Sequence, residues 1–118
     1  MDTYEAGIDI GSTTVKLVVL NEKGEVLFGQ YCRHHAHTQK TLYNLLMQAR
    51  QTLGPCILKP KITGSGAINL GQAMQIEFVQ EVVAVATALK ARAPQTDVAI
   101  ELGGEDAKII YFTGGLEE

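Results

Sequence analysis

With 118 residues, 46% of them hydrophobic, the chain can build one modest core or contribute part of a larger domain. A net charge of −3, with lysines and arginines scattered rather than clustered, excludes the basic footprint of a nucleic-acid-binding domain. No apolar run is long enough to span a bilayer, and the first residues carry neither a basic leader nor a long hydrophobic stretch. A cytoplasmic location without membrane attachment is therefore expected.

Along the chain, Gly7 to Ile10 reads as a strand, followed by a tight turn, Gly11-Ser12-Thr13-Thr14, and a second strand from Val15 to Leu20. Asn21-Glu22-Lys23-Gly24 makes another turn before Val26-Leu27-Phe28 and Gln30 to Cys32. Connections this short do not allow parallel crossovers, so these strands should pair antiparallel. His34-His35-Ala36-His37 reads as a polar strand-to-helix connection. Adjacent residues of a strand point to opposite faces, and no paired carboxylates lie nearby to complete a metal site. Cys32 and Cys56 are widely separated, lack metal-ligand spacing and are expected to be reduced thiols.

Thr38 is placed to cap a helix that ends before Gly54-Pro55, with Leu42, Leu45, Leu46, Ala49 and Leu53 on its buried face. Lys59-Pro60-Lys61 marks a solvated entrance to the strand Lys61-Ile62-Thr63, which Gly64-Ser65-Gly66 terminates. The stretch from Ala67 to Phe78 fits neither period cleanly. A second helix is expected from Val79 to Ala93, stopping at Pro94 and packing through Val79, Val82, Val83, Ala86 and Leu89. Val98 to Leu102 forms the next strand and Lys108 to Phe112 another, with helical crossovers placing the later strands parallel to the first. Thr113 to Glu118 opens a turn that does not return, as expected of the front part of a longer unit.

Two loops carry chemistry. The Gly11-Ser12-Thr13-Thr14 turn gathers successive backbone N–H groups and hydroxyls beside Lys16, a set suited to a phosphate group. Asp9 ends the preceding strand, where a carboxylate can hold a hydrated divalent cation next to that phosphate. A second glycine-rich acidic element, Ile100-Glu101-Leu102-Gly103-Gly104-Glu105-Asp106-Ala107-Lys108, lies near the other end. Either turn alone is better explained by glycine's conformational freedom and the local hydrogen bonds of aspartate and threonine. Two of them, each following a strand, favour a phosphate site.

These segments resemble the nucleotide-binding first half of the superfamily of acetate and sugar kinases, actin and heat-shock chaperones. More narrowly, nearly the whole chain resembles the activator ATPases of 2-hydroxyacyl-CoA dehydratases and benzoyl-CoA reductase. Gly7-Ile8-Asp9-Ile10-Gly11-Ser12-Thr13-Thr14-Val15-Lys16 is similar to that family's first phosphate loop, and Glu101-Leu102-Gly103-Gly104-Glu105-Asp106-Ala107-Lys108 to its second. Thr63-Gly64-Ser65-Gly66 resembles its glycine turn, with Ser65 for a tyrosine and Ala67 for an arginine. Glu101 replaces an aspartate and Glu105 a glutamine. The fold implied is α/β, ribonuclease-H-like (actin-like ATPase), with a mixed five-stranded sheet of order 3-2-1-4-5 flanked by helices, plus the start of a following hairpin. Residues 1–118 would be its N-terminal part, with the second half absent.

The resemblance further implies ATP and magnesium as ligands, ATP hydrolysis in the complete protein with this part alone inactive, and electron delivery to a CoA-thioester dehydratase or reductase. Gly11, Ser12, Thr13, Thr14, Lys16, Gly103, Gly104 and Lys108 would contact nucleotide. Asp9, Glu101 and Asp106 would organise magnesium, and these three with Glu105 would serve catalysis. Family members form homodimers holding a four-iron, four-sulfur cluster, each subunit giving two cysteines. The first of those positions is Ala84 here, and neither Cys32 nor Cys56 matches either one, which argues against a cluster. Two alternatives remain at this stage: a degenerate, non-catalytic actin-like domain with a scaffold or regulatory role, and a fragment of a sugar or carboxylate kinase.

Overall fold

The computed structural model describes residues 1–103, 107–112 and the backbone of 116–117, and it divides into two compact units, Met1–Phe78 and Val79–Glu118. The first unit opens with a meander of β1 (Thr3–Ile10), β2 (Thr14–Leu20) and β3 (Val26–Arg33). Helix α1 (Thr38–Leu53), strand β4 (Ile57–Thr63), helix α2 (Ala67–Met74) and the short β5 (Glu77–Phe78) follow. The sheet order is β3-β2-β1-β4-β5, antiparallel through the meander and parallel from β1 to β4 to β5. This is the expected 3-2-1-4-5 order, with Asp9 on the central strand.

Alternation along the strands builds the core. Ile8 lies opposite Leu17 on one side and Ile62 on the other, while Ile10 lies opposite Val15 and Ala6 opposite Val19. All of these side chains are buried, and Leu42, Leu45 and Ala49 of α1 and Ala67 of α2 join the same cluster. Helix α1 packs on β2 and β3, and α2 on β4 and β5. A fully buried leucine or isoleucine contributes roughly 1.5–3 kcal/mol relative to an exposed one, so this face dominates the stability of the unit. The alternate residues, Gly7 and Asp9 on β1 and Lys16 and Val18 on β2, fall on the other face by the same period of two.

Several local features differ from the sequence reading. His37, not Thr38, is the N-cap of α1, with no side-chain cap bond; Thr38 is the first helical residue, and the Thr41 hydroxyl donates back to the His37 carbonyl at 2.8 Å. Strand β4 begins at Ile57 and runs through Pro60. Proline is tolerated because β5 pairs only with Lys61 and Ile62, leaving Pro60 without a ladder partner on that side. The ambiguous Ala67–Phe78 stretch resolves into α2 and β5. Gly71 obscures the helical period of α2, yet a Cβ there would meet Ile62 Cγ2 at 2.9 Å, so glycine permits the helix to approach β4.

The second unit holds α3 (Glu81–Arg92) and a three-stranded antiparallel sheet of β6 (Val98–Leu102), β7 (Ala107–Phe112) and β8 (Leu116–Glu117), in that order. Val98–Leu102, expected to lie parallel to the first strand, instead pairs antiparallel with β7, and Glu77–Phe78 supplies the fifth strand of the first sheet. Helix α3 starts two residues later than expected; Ala86 is buried, Val82 and Leu89 half-buried and Val83 exposed. Glu81 in its first turn and Lys90 and Arg92 in its last complement the helix dipole. Among the described residues, no helix is long and apolar enough to cross a membrane.

Candidate functional site

The end of β1 brings Asp9 and Lys16 together beside the Gly11–Thr14 turn. Asp9 is flanked in register by Lys16 across the β1–β2 ladder and by Thr63 across β1–β4. Lys16 Nζ lies 3.8 Å from Asp9 Oδ2, and the two side chains are 54% and 41% exposed. A solvated pair of this kind contributes at most about 1 kcal/mol, so Lys16 can change partners at small cost. On the other side, Gly64 is buried with φ +107°. A Cβ there would sit 2.2 Å from the Ile10 carbonyl oxygen and 2.7 Å from Asp9 Oδ1. Only glycine lets the β4–α2 turn lie against Asp9 in this way. Gly66 N–H closes the junction by donating to the Ile10 carbonyl at 3.0 Å.

The Gly11–Thr14 turn is held internally and from β3. Gly11 N–H donates to the Thr14 carbonyl at 2.9 Å, so this N–H, expected among the phosphate donors, closes the turn instead. Ser12 and Thr14 are half-buried and Thr13 is exposed. His34 N–H donates to the Thr13 carbonyl at 3.0 Å, and the His34 ring places Nε2 3.1 Å from the Gly11 carbonyl. His34 and Thr63 are the residues here that the sequence reading did not assign to the site. The histidine run gives no sign that one ring is buried against the turn. For Thr63 the signal was present, because it immediately precedes the Gly64-Ser65-Gly66 turn.

The second loop lies in the other unit. Glu101 on β6 faces Lys108 on β7 in register, and Lys108 Nζ pairs with Glu81 Oε2 at 3.3 Å, both side chains 25% exposed. Lys108, expected to contact nucleotide, is thus engaged with the first turn of α3. Gly103 is exposed after β6. Gly104, Glu105 and Asp106 lie outside the described residues.

The first site fits a hydrated magnesium ion accompanying phosphate. Such an ion keeps most of its waters and asks for one or two carboxylates, and Asp9 supplies one at a strand end. The buried Thr63 Oγ1 beside it in register has no hydrogen-bond partner among the described residues. The same residues contain no group of three or more His, Cys, Asp or Glu able to hold a metal ion by themselves. An iron–sulfur cluster does not fit: Ala84 on α3 carries no sulfur, and the free thiols are Cys32, exposed on β3, and Cys56, just before β4.

No protein-family model and no curated protein matches the chain. Among solved structures it is similar to the activator of the 2-hydroxyisocaproyl-CoA dehydratase from Clostridium difficile with bound ADPNP. That match has TM-score 0.83 and 27% identity, and covers 98% of this chain and 44% of that one. It is also similar to component A of the (R)-2-hydroxyglutaryl-CoA dehydratase of Acidaminococcus fermentans, with TM-score 0.76, 22% identity, and 98% and 45% covered. The ethanolamine utilization protein EutJ from Carboxydothermus hydrogenoformans follows, with TM-score 0.69, 17% identity, and 98% and 50% covered. The chain spans less than half the length of the first two. It has the actin-like, ribonuclease-H-like fold, and its structural neighbours include dehydratase activators, one of them with an ATP analogue bound.

Proposed function

We propose that this chain is the first lobe of an ATP-binding activator module acting on a CoA-thioester dehydratase or reductase. The observation that carries the reading is the junction at Asp9, where a carboxylate, a lysine, a hydroxyl-rich turn and a glycine turn converge in a fold similar to an ADPNP-bound activator. Residues 1–118 would be the first half of the module, and a second half of the same polypeptide would complete the nucleotide cleft.

In this reading Ser12, Thr13 and Thr14 receive phosphate oxygens through N–H and hydroxyl donors, and Lys16 exchanges Asp9 for phosphate. Gly103, Gly104 and Lys108 would add phosphate contacts, Lys108 by giving up its pair with Glu81. Magnesium, when bound, neutralises charge on the phosphates. Asp9, Asp106 and Glu101 would orient its waters, and Glu105 would help to position the attacking water. Such groups suffice in kind, because phosphoryl transfer is catalysed mainly by positioning and charge stabilisation. Coupling to electron delivery, and the homodimer that goes with it, would have to proceed without a cluster thiolate at Ala84.

Ala84 and the acidic Glu105 favour a second reading, a nucleotide-binding domain that regulates or scaffolds its partner without turnover. Phosphate release from ATP, measured on the full-length polypeptide with and without its dehydratase or reductase component, separates the two. Turnover stimulated by the component supports the activator. Binding without turnover supports the regulatory domain, and no binding by folded protein refutes both.

A further inference from the structure

His34 is buried, 9% exposed, and both of its ring nitrogens are committed. Ala36 N–H donates to Nδ1 at 3.0 Å, and Nε2 lies 3.1 Å from the Gly11 carbonyl oxygen. An amide N–H can only donate and a carbonyl can only accept, so one protonation state satisfies both contacts: neutral imidazole with its proton on Nε2. The backbone makes that arrangement local to His34. His35 and Ala36 have φ of +46° and +64°, an uncommon conformation for residues other than glycine, and it brings the Ala36 N–H back to the ring.

We infer that His34 is a positioning residue for the phosphate loop, holding the carbonyls of Gly11 and Thr13 so that the following N–H groups face a bound phosphate. Its ring takes the Gly11 carbonyl and its own N–H takes that of Thr13. The peptide bonds are planar and none is cis, so the N–H of each next residue points opposite to the carbonyl before it. Anchoring these two carbonyls turns the N–H groups of Ser12 and Thr14 to the side away from His34. Since Gly11 N–H is engaged by Thr14, these are the donors whose direction His34 sets. The inference rests on the nucleotide-binding reading proposed above and adds to it the residue that shapes the loop.

Two substitutions divide the ring's contacts. In His34→Gln the side-chain amide can reach the Gly11 carbonyl in place of Nε2. In His34→Asn the shorter side chain accepts Ala36 N–H, as in an Asx turn, and does not reach Gly11. The full-length polypeptide is titrated with ADPNP and magnesium by calorimetry, and long-range proton–nitrogen NMR reads the His34 tautomer in the wild type. The expected result is a wild-type Nε2–H tautomer, His34→Gln within about threefold of wild-type affinity, and His34→Asn weaker by about tenfold, the scale of one lost hydrogen bond. An Nδ1–H tautomer, wild-type affinity in His34→Asn, or equal losses in the two variants would overturn the inference while leaving nucleotide binding intact. Failure of the folded wild type to bind would overturn the nucleotide-binding reading and this inference together.

Discussion

Replacing Gly64 by alanine tests the close approach on which the site depends. The added Cβ would lie 2.2 Å from the Ile10 carbonyl oxygen and 2.6 Å from its carbon, well over an ångström inside ordinary contact. Both are backbone atoms of the central strand, so no side-chain rotation relieves the clash. Gly64→Ala also carries the torsional penalty of φ +107°, about 1–2 kcal/mol. Displacing packed neighbours adds typically 1–3 kcal/mol, for a total of about 3 kcal/mol. Two other glycines serve as internal controls. Gly24 has φ +77° with nothing within 4 Å of its ideal Cβ, so Gly24→Ala isolates the torsional term at about 1–2 kcal/mol. Gly7 has neither positive φ nor a neighbour in range, so Gly7→Ala should be neutral or stabilising by up to about 1 kcal/mol. Urea unfolding followed by circular dichroism would rank them Gly64→Ala, Gly24→Ala, Gly7→Ala, from most to least destabilised. A Gly64→Ala variant no less stable than Gly24→Ala would refute the packing of the glycine turn against Ile10 and Asp9.

Other perturbations follow from the same geometry. Leu17→Ala removes a fully buried side chain from the middle of the core and should cost about 2–5 kcal/mol, read as a fall in Tm of about 10 °C or more. Lys16→Ala should change stability by less than about 1 kcal/mol because its pair with Asp9 is solvated, yet weaken ADPNP binding several-fold in calorimetry. A loss of stability without a loss of affinity would assign Lys16 a structural role instead. Glu105→Gln removes a carboxylate from the proposed phosphate site and should tighten ADPNP binding; unchanged affinity would place residue 105 away from the phosphates.

The meander and its antiparallel pairing were legible in the sequence because Ile8, Ile10, Val15, Leu17 and Val19 alternate without interruption between unmistakable turns. The buried face of α1 was equally legible from the spacing of Leu42, Leu45 and Ala49. Helix α2 was not, because Gly71 interrupts its apolar face for a reason that exists only in three dimensions, the approach to Ile62. The fifth strand was missed because Glu77–Phe78 is two residues long and carries no alternation to read. At the candidate site, Asp9 and the Gly11–Thr14 turn are marked by residue type and spacing. His34 is not, because its contact with Gly11 spans 23 residues of sequence and no local period encodes it.

Asp9 is the centre of the proposed nucleotide site. Calorimetric titration of the full-length polypeptide with ADPNP, with and without magnesium and for wild type beside Asp9→Ala, tests it in one series. Magnesium-dependent binding by the wild type and its loss in the variant are expected, with circular dichroism confirming that both are folded. Binding that is indifferent to magnesium and to Asp9→Ala would contradict the proposed site.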